Sequence, residues 1–210
     1  MFYRFLARQF ACPSGWAGRW WMGPWLDRIG RKMNRLTLEQ LDLQPHENVL
    51  EVGFGGGGLL AMILASTSGE VHGVDISKPM VKRAGRRFRR HDRLHLHRAS
   101  AESLPLPDAV VDKACSVNNI YFWSDPAGVM AEFARVIRPG GRLAICFEPA
   151  YELRKWPGHE HGFRLYEGHD VQRLFTEAGF GKVTGRWGSG RKPDRFLCLS
   201  AARLGGEKDA

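Results

Sequence analysis

The run Val49-Leu50-Glu51-Val52-Gly53-Phe54-Gly55-Gly56-Gly57-Gly58-Leu59-Leu60 constrains the fold most: an apolar strand enters a turn of five glycines and leaves as an apolar helix. Glycine suits such a turn because a Cβ would obstruct both the tight bend and the close approach of a ligand to the backbone. A small-molecule site at the strand tip is implied. From about residue 48 to residue 147, short β-rich runs alternate with helix-like segments, which calls for a parallel sheet covered by helices. The runs predict strands at Asn48 to Val52, Glu70 to Asp75, Leu94 to His97, Asp112 to Val117 and Arg142 to Phe147. Helices are expected at Leu59 to Ala65, Pro79 to Arg90 and Pro126 to Ile137, the last stopped by Pro139, Gly140 and Gly141. Beyond them, Gly168 to Ala178 has helical spacing, and Lys182 to Trp187 with Arg195 to Ala202 reads as a closing antiparallel hairpin.

A chain of 210 residues, 43% hydrophobic and 25% charged, fits one globular domain and excludes disorder, collagen and a small disulfide scaffold. Its net charge of +9 is unevenly spread. Basic blocks occupy residues 1–36, 82–98 and 182–210, while 37–81 and 99–181 carry excess acid. Cys12, Cys115, Cys146 and Cys198 have no C-x-x-C pairing and no histidines at zinc spacing, so they read as reduced thiols and no metal site is expected. Arg4 and Arg8 interrupt the apolar start before a signal-peptide core can form, and nowhere do eighteen apolar residues run together. A cytoplasmic location follows as the expectation, with membrane association held open by the leader.

Gly53, Gly55 and Gly58 satisfy G-x-G-x-x-G literally, so a dinucleotide site competes with other nucleoside ligands, and Asp75 suits ribose hydroxyls under either reading. Three features separate them. The glycines follow an acid in E-x-G-x-G-x-G form, and a carboxylate there suits an amino group and repels a pyrophosphate. Ala99-Ser100-Ala101-Glu102-Ser103-Leu104-Pro105 precedes the fourth strand, and Arg135-Val136-Ile137-Arg138-Pro139-Gly140-Gly141 precedes the fifth. On these motifs, in this order, the chain resembles class I S-adenosylmethionine-dependent methyltransferases (methyltransferase type 11), and is similar to the ubiquinone and menaquinone biosynthesis C-methyltransferase group over about residues 36–182.

The resemblance implies a Rossmann-like α/β fold with a seven-stranded, mostly parallel sheet, helices on both faces, and S-adenosyl-L-methionine as cofactor. It implies that Glu51 and the backbone of Gly53, Gly55 and Gly57 hold the methionine part and that Asp75 accepts from the ribose. Ile76 and Met80 would pack on the adenine, and Ala101 and Glu102 would lie along its edge. Ser116 and Asn118, after strand four, would pass under the methionine. Many relatives carry Asp where Ser100 stands; a hydroxyl can still hydrogen-bond the adenine amine.

Transfer of a sulfonium methyl is an in-line displacement that needs alignment and exclusion of water, with a base only where the acceptor must lose a proton. No triad is required. Catalytic candidates are Tyr121, His159, His161 and Glu148, each set against a structural or surface role. Tyr121 and Trp123 follow the fourth strand, where such sheets bind ligands, so they border either the acceptor or the core. His95 and His97 read as structural. The segment lacks the Asn-Pro-Pro-Tyr sequence associated with nucleobase methylation, and the basic run Lys82 to Arg98 reads as a solvated helix face, so nucleic acid is disfavoured as a partner. Tyr151 and Lys155 match the Y-x-x-x-K of short-chain NAD(P)-dependent oxidoreductases, but Pro157 and Gly158 end any helix almost at once and the glycine pattern differs. A non-catalytic S-adenosylmethionine-binding regulatory protein is the alternative from another class.

Residues 1–36 form a basic leader with Trp16, Trp20, Trp21 and Trp25 near one helical face. The expectation is a lid in which Trp20 and Trp21 wall the acceptor, ahead of a methyltransferase domain at 37–205 and a tail at 206–210. Peripheral membrane contact, with a lipid or quinone acceptor, is the alternative. Together these features predict a methyltransferase of a small apolar or aromatic molecule, monomeric or homodimeric.

Overall fold

The computed structural model describes residues 3–4, 6–7, 23–190 and 194–205, with side chains in the first long helix described from residue 30. Trp16, Trp20, Trp21, Cys12 and the turn-forming residues 8–15 lie outside the described residues, as does the side chain of Trp25. Helix α1 (Gly23–Leu41) runs unbroken through Leu36 and Thr37, where the sequence suggests the leader gives way to the main domain.

Seven strands form one sheet in the order β3-β2-β1-β4-β5-β7-β6. These are β1 (Val49–Val52), β2 (Val71–Val74), β3 (Leu94–His97), β4 (Val111–Val117), β5 (Ile137–Phe147), β6 (Thr184–Ser189) and β7 (Arg195–Ala202). Strands β1 to β5 pair in parallel, and β7 is antiparallel to both β5 and β6. Connecting elements are α2 (Gly58–Ser66), α3 (Lys78–Arg87), α4 (Pro126–Val136), the four-residue α5 (Ala150–Leu153) and α6 (Gly168–Glu177).

Strand alternation divides the core between the two faces of this sheet. Leu143, Ile145 and Phe147 of β5 join Phe133 of α4 and Phe175 of α6 on one side. Ala144 and Cys146 join Met33 of α1, Leu59 of α2 and Met80 of α3 on the other. Cys115, Cys146 and Cys198 are buried there as small apolar residues. Among the described residues no group of His, Cys, Asp and Glu could hold a metal ion, and no helix is long and apolar enough to cross a membrane.

The fifth strand begins earlier than its composition suggests. Ile137 already pairs with Val111, residues 138–141 loop out, and the ladder resumes with Arg142 opposite Lys113. The R-P-G-G segment is thus an interruption within a strand, with the Gly140 amide donating to the Arg203 carbonyl at 2.9 Å.

Both sequence motifs that precede β4 and β5 hold this scaffold together. Arg135 donates to the carbonyls of Leu104 (3.0 Å) and Leu106 (2.7 Å) and to the carboxylates of Asp108 and Glu132. Glu132 in turn accepts from the Leu104 amide at 2.7 Å. Such charge-assisted bonds clamp the Leu104 to Asp108 loop onto α4.

Candidate functional site

Five parallel strands bring their C-terminal ends to one rim, where a doubly wound sheet opens its crevice. A cavity of about 700 Å³ lies there, within the ~300–1,000 Å³ usual for small-molecule sites. Each strand end contributes: the glycine turn after β1, Asp75 and Ile76 after β2, Ser100 to Glu102 after β3, Asn118 after β4 and Glu148 after β5.

The glycine turn is shaped by what a side chain would strike. Gly53 has φ +77°, and a Cβ there would come within 2.2 Å of Asn119 Nδ2. The Gly53 amide donates to the Val74 carbonyl at 2.8 Å, and the Gly55 amide donates to Asp75 Oδ2 at 2.9 Å, so the turn is bolted to the end of β2. Asp75 Oδ1 accepts from the Ser77 amide at 2.8 Å. Burial raises the Asp75 carboxyl above the ordinary carboxylate range, against the two amide bonds that lower it. Each carboxylate oxygen keeps a further lone pair for a ligand hydroxyl. Glu51, 3% exposed, is on the same wall. Glu102 accepts from the amides of Ser124 (3.0 Å) and Asp125 (2.9 Å) and from the Ser124 hydroxyl, which holds its carboxyl below the usual range and fixes the start of α4 beside the cavity.

Three residues that the resemblance assigns to the cofactor lie elsewhere. Met80 is fully buried beneath α3, off the cavity wall, because its side chain points into the core while exposed Ile76 faces the opening. Ser116 is 1% exposed and donates to the Val52 carbonyl at 2.9 Å, tying β4 to β1. Gly57 is also off the wall; a Cβ at its φ of +80° would approach Phe88 to 2.9 Å, so its freedom serves the packing of the turn on α3. The Ser100 hydroxyl lines the cavity and accepts from the Glu102 amide at 3.2 Å.

Tyr121 and Trp123 are both core residues, 2% and 4% exposed, with one edge on the cavity. The Trp123 indole donates to Asn119 Oδ1 at 2.7 Å, and the Tyr121 hydroxyl donates to Asn118 Oδ1 at 3.1 Å. Burial and the neighbouring Glu148 charge push the Tyr121 phenol well above its ordinary value. His159 and His161 do not line the cavity; His159 Nδ1 is 2.7 Å from the Trp156 carbonyl. Tyr151 is 40% exposed and off the wall, so it forms no site with Lys155.

Unforeseen residues complete the lining. Phe122, Trp156 and Phe163 form an aromatic cluster, with ring centroids 4.7 Å apart for Phe122 and Phe163 and 5.4 Å for Trp156 and Phe163. Glu152 is 5% exposed and paired with Lys155 at 2.7 Å. From the N-terminal part, Leu6, Gly30 and Asn34 reach the wall. Leu6, Gly30, Asn34 and Phe163 come from segments with no local motif, so their signal in the sequence is weak, whereas Phe122 sits between the singled-out Tyr121 and Trp123.

A family model described as "Methyltransferase domain" matches residues 50–145. Over 172 residues the chain is 31% identical to the uncharacterized methyltransferase YdaC of Bacillus subtilis, covering 81% of this chain and 91% of that protein. The chain belongs to the class I S-adenosylmethionine-dependent methyltransferases. Within the family it is 34% identical over 112 residues to a demethylmenaquinone methyltransferase of Tropheryma whipplei, spanning 53% of this chain and 46% of that one. In fold, this methyltransferase matches a Haloferax volcanii protein, described as a methyltransferase and solved in complex with the Trm112 methyltransferase activator, at a TM-score of 0.82 and 18% identity. That match covers 91% of this chain and 96% of the other.

The cavity fits the family's cofactor. Gly53, Gly55 and Gly56 line the cavity with no side chain of their own between backbone and ligand, and the carboxylates of Glu51, Asp75 and Glu102 suit a cationic ligand with donor hydroxyls.

Proposed function

We propose that this methyltransferase acts on a small apolar or aromatic acceptor seated against Phe122, Trp156 and Phe163. The observation that carries the reading is that these rings line the same cavity as the glycine turn and Asp75. In this assignment Glu51 and the backbone of Gly53 and Gly55 hold the methionine portion of S-adenosylmethionine. Asp75 accepts from the ribose hydroxyls, and Ile76, Ser100, Ala101 and Glu102 border the adenine. Asn118, held at φ +52° after β4, separates the cofactor from the acceptor. The bound cofactor supplies an activated methyl group; the protein orients the acceptor behind it and keeps water out.

Leu6 on the cavity wall and Ala7, 1% exposed, support the leader as a wall of the site in preference to a membrane anchor. Trp20 and Trp21 belong to the same proposal.

Two measurements test the function. Calorimetry should show S-adenosylhomocysteine binding to the wild type and equally to W156A and F163A. Transfer of a labelled methyl group to a panel of flat aromatic acceptors should be lost in both variants; unchanged transfer would remove the rings from the acceptor site.

A further inference from the structure

Among the described residues, one carboxylate of the cavity is engaged by no other side chain or amide. Glu148 follows β5 directly, is half-buried on the cavity wall, and its side chain makes no hydrogen bond or ion pair among the described residues. Its main chain is held firmly, because the Glu148 amide donates to the Tyr121 hydroxyl at 2.5 Å and the Ala150 amide donates to the Tyr166 carbonyl at 2.8 Å. The carboxyl group is therefore presented to the cavity by a rigid strand end and left available.

The remaining acid–base candidates do not have this geometry. Tyr121 spends its hydroxyl on Asn118 and on the Glu148 main chain, and His159 and His161 are off the wall. Glu152 lies on the wall but is engaged by Lys155. Glu51 and Asp75 stand at the ends of β1 and β2, beside the glycine turn.

We propose that Glu148 is the general base of the reaction and that the acceptor presents a phenolic or enolic hydroxyl to it, oxygen being the atom methylated. This rests on the reading of the cavity as the methyl-transfer site. The acceptor O–H gives its proton to the Glu148 carboxylate as the oxygen–carbon bond forms. The carbon–sulfur bond breaks with its electron pair remaining on sulfur, which becomes a neutral thioether. Glu148 then returns the proton to water. Charge balances: a cationic donor and a carboxylate become a neutral product and a carboxylic acid.

Electrostatics favour the same role. Burial first, and then the Glu152 carboxylate, push the Glu148 carboxyl up to about 7. The groups around it are Glu152 and Lys155 at and after α5, Tyr121 after β4 and Cys146 on its own strand. A base poised near neutral pH is matched to a hydroxyl whose acidity rises as its oxygen gains a methyl group, and poorly matched to an unactivated C–H.

Carbon-detected NMR of labelled glutamate in the S-adenosylhomocysteine-loaded protein reads the group directly. A carboxyl titrating near 7 and absent from E148Q is expected; Glu148 titrating below about 5, as free carboxyls do, overturns the assignment. Labelled methyl transfer to 2-naphthol and 4-phenylphenol gives the second reading. E148Q should lose about 100-fold or more in kcat, with S-adenosylhomocysteine affinity and melting temperature retained. The wild-type kcat/KM should rise with pH to a plateau above 7, a limb that E148Q lacks and E148D keeps. Full turnover by E148Q, methylation at carbon, or no transfer to either phenol by cofactor-binding protein each overturns the proposal. Failure of the wild type to bind S-adenosylmethionine would instead remove the underlying assignment of the cavity.

Discussion

The amide of Glu148 donates to the phenolic oxygen of Tyr121 at 2.5 Å, while the Tyr121 hydroxyl lies 3.1 Å from Asn118 Oδ1. One side chain thus joins the ends of β4 and β5 at the point where both meet the cavity. Replacing Tyr121 by Phe keeps the ring but leaves the Glu148 amide and Asn118 Oδ1 without this partner. A stability loss of about 1–3 kcal/mol is expected in urea unfolding. Methyl transfer should fall more than S-adenosylhomocysteine affinity, and equal losses in the two would contradict a positioning role.

Gly53→Ala should damage binding beyond its cost in stability. The backbone at φ +77° disfavours an L-residue by about 1–2 kcal/mol. In addition, the new methyl would displace Asn119, which holds the Trp123 indole. Gly140→Ala is the matched control: its φ is +80°, yet nothing lies within 4 Å of the added carbon. Calorimetry should show weakened S-adenosylhomocysteine binding in the first variant only.

Asp75→Asn tests the ribose assignment. The amide can still accept from one backbone N–H but meets the other with its own NH₂ group, and it loses the charge that strengthens bonds to hydroxyls. An affinity loss of about 10- to 100-fold for S-adenosylhomocysteine is expected, from ~1.5–3 kcal/mol for bonds to a charged group. Unaltered affinity would place the ribose elsewhere.

His72 gives the fold an acid-sensitive edge. Its ring stacks on His95 (5.1 Å) and His97 (5.7 Å) across β2 and β3. Burial, then the charges of His95 and His97, lower it from 6.5 to about 4, with Glu70 acting in the opposite direction. The unfolded chain therefore binds this proton before the folded one does, so stability is lost as pH falls from about 6.5 towards 4. Urea unfolding at pH 7 and 4.5 should show a smaller loss of stability on acidification for His72→Gln than for the wild type. A pH dependence identical to wild type would clear His72 of responsibility.

Local chemistry made much of the molecule legible. The strands at Leu94–His97 and Arg195–Ala202 coincide with their apolar runs, since residue pattern and ladder end together there. The start of β5 was not legible because Pro139 and Gly140 look like a terminus, whereas the bulge opposite Val111 and Lys113 absorbs them. Met80 and Ser116 sit at motif positions yet turn away from the cavity, a matter of side-chain direction that spacing does not encode. The Arg135 clamp on Leu104 and Leu106 spans about thirty residues of sequence, so its scaffolding role appears only in three dimensions.

The sequence by itself determined the parallel core, the glycine turn and the acid at the end of β2, because strand alternation and the absence of Cβ atoms act over a few residues. Only the tertiary structure decided which groups share the cavity. It brought Phe122 against Phe163 and Trp156, paired Glu152 with Lys155, and left the Glu148 carboxylate open to the same space. Burial and the charges of neighbours shift an acid's affinity for protons, and both depend on contacts between segments that meet only when the sheet is assembled.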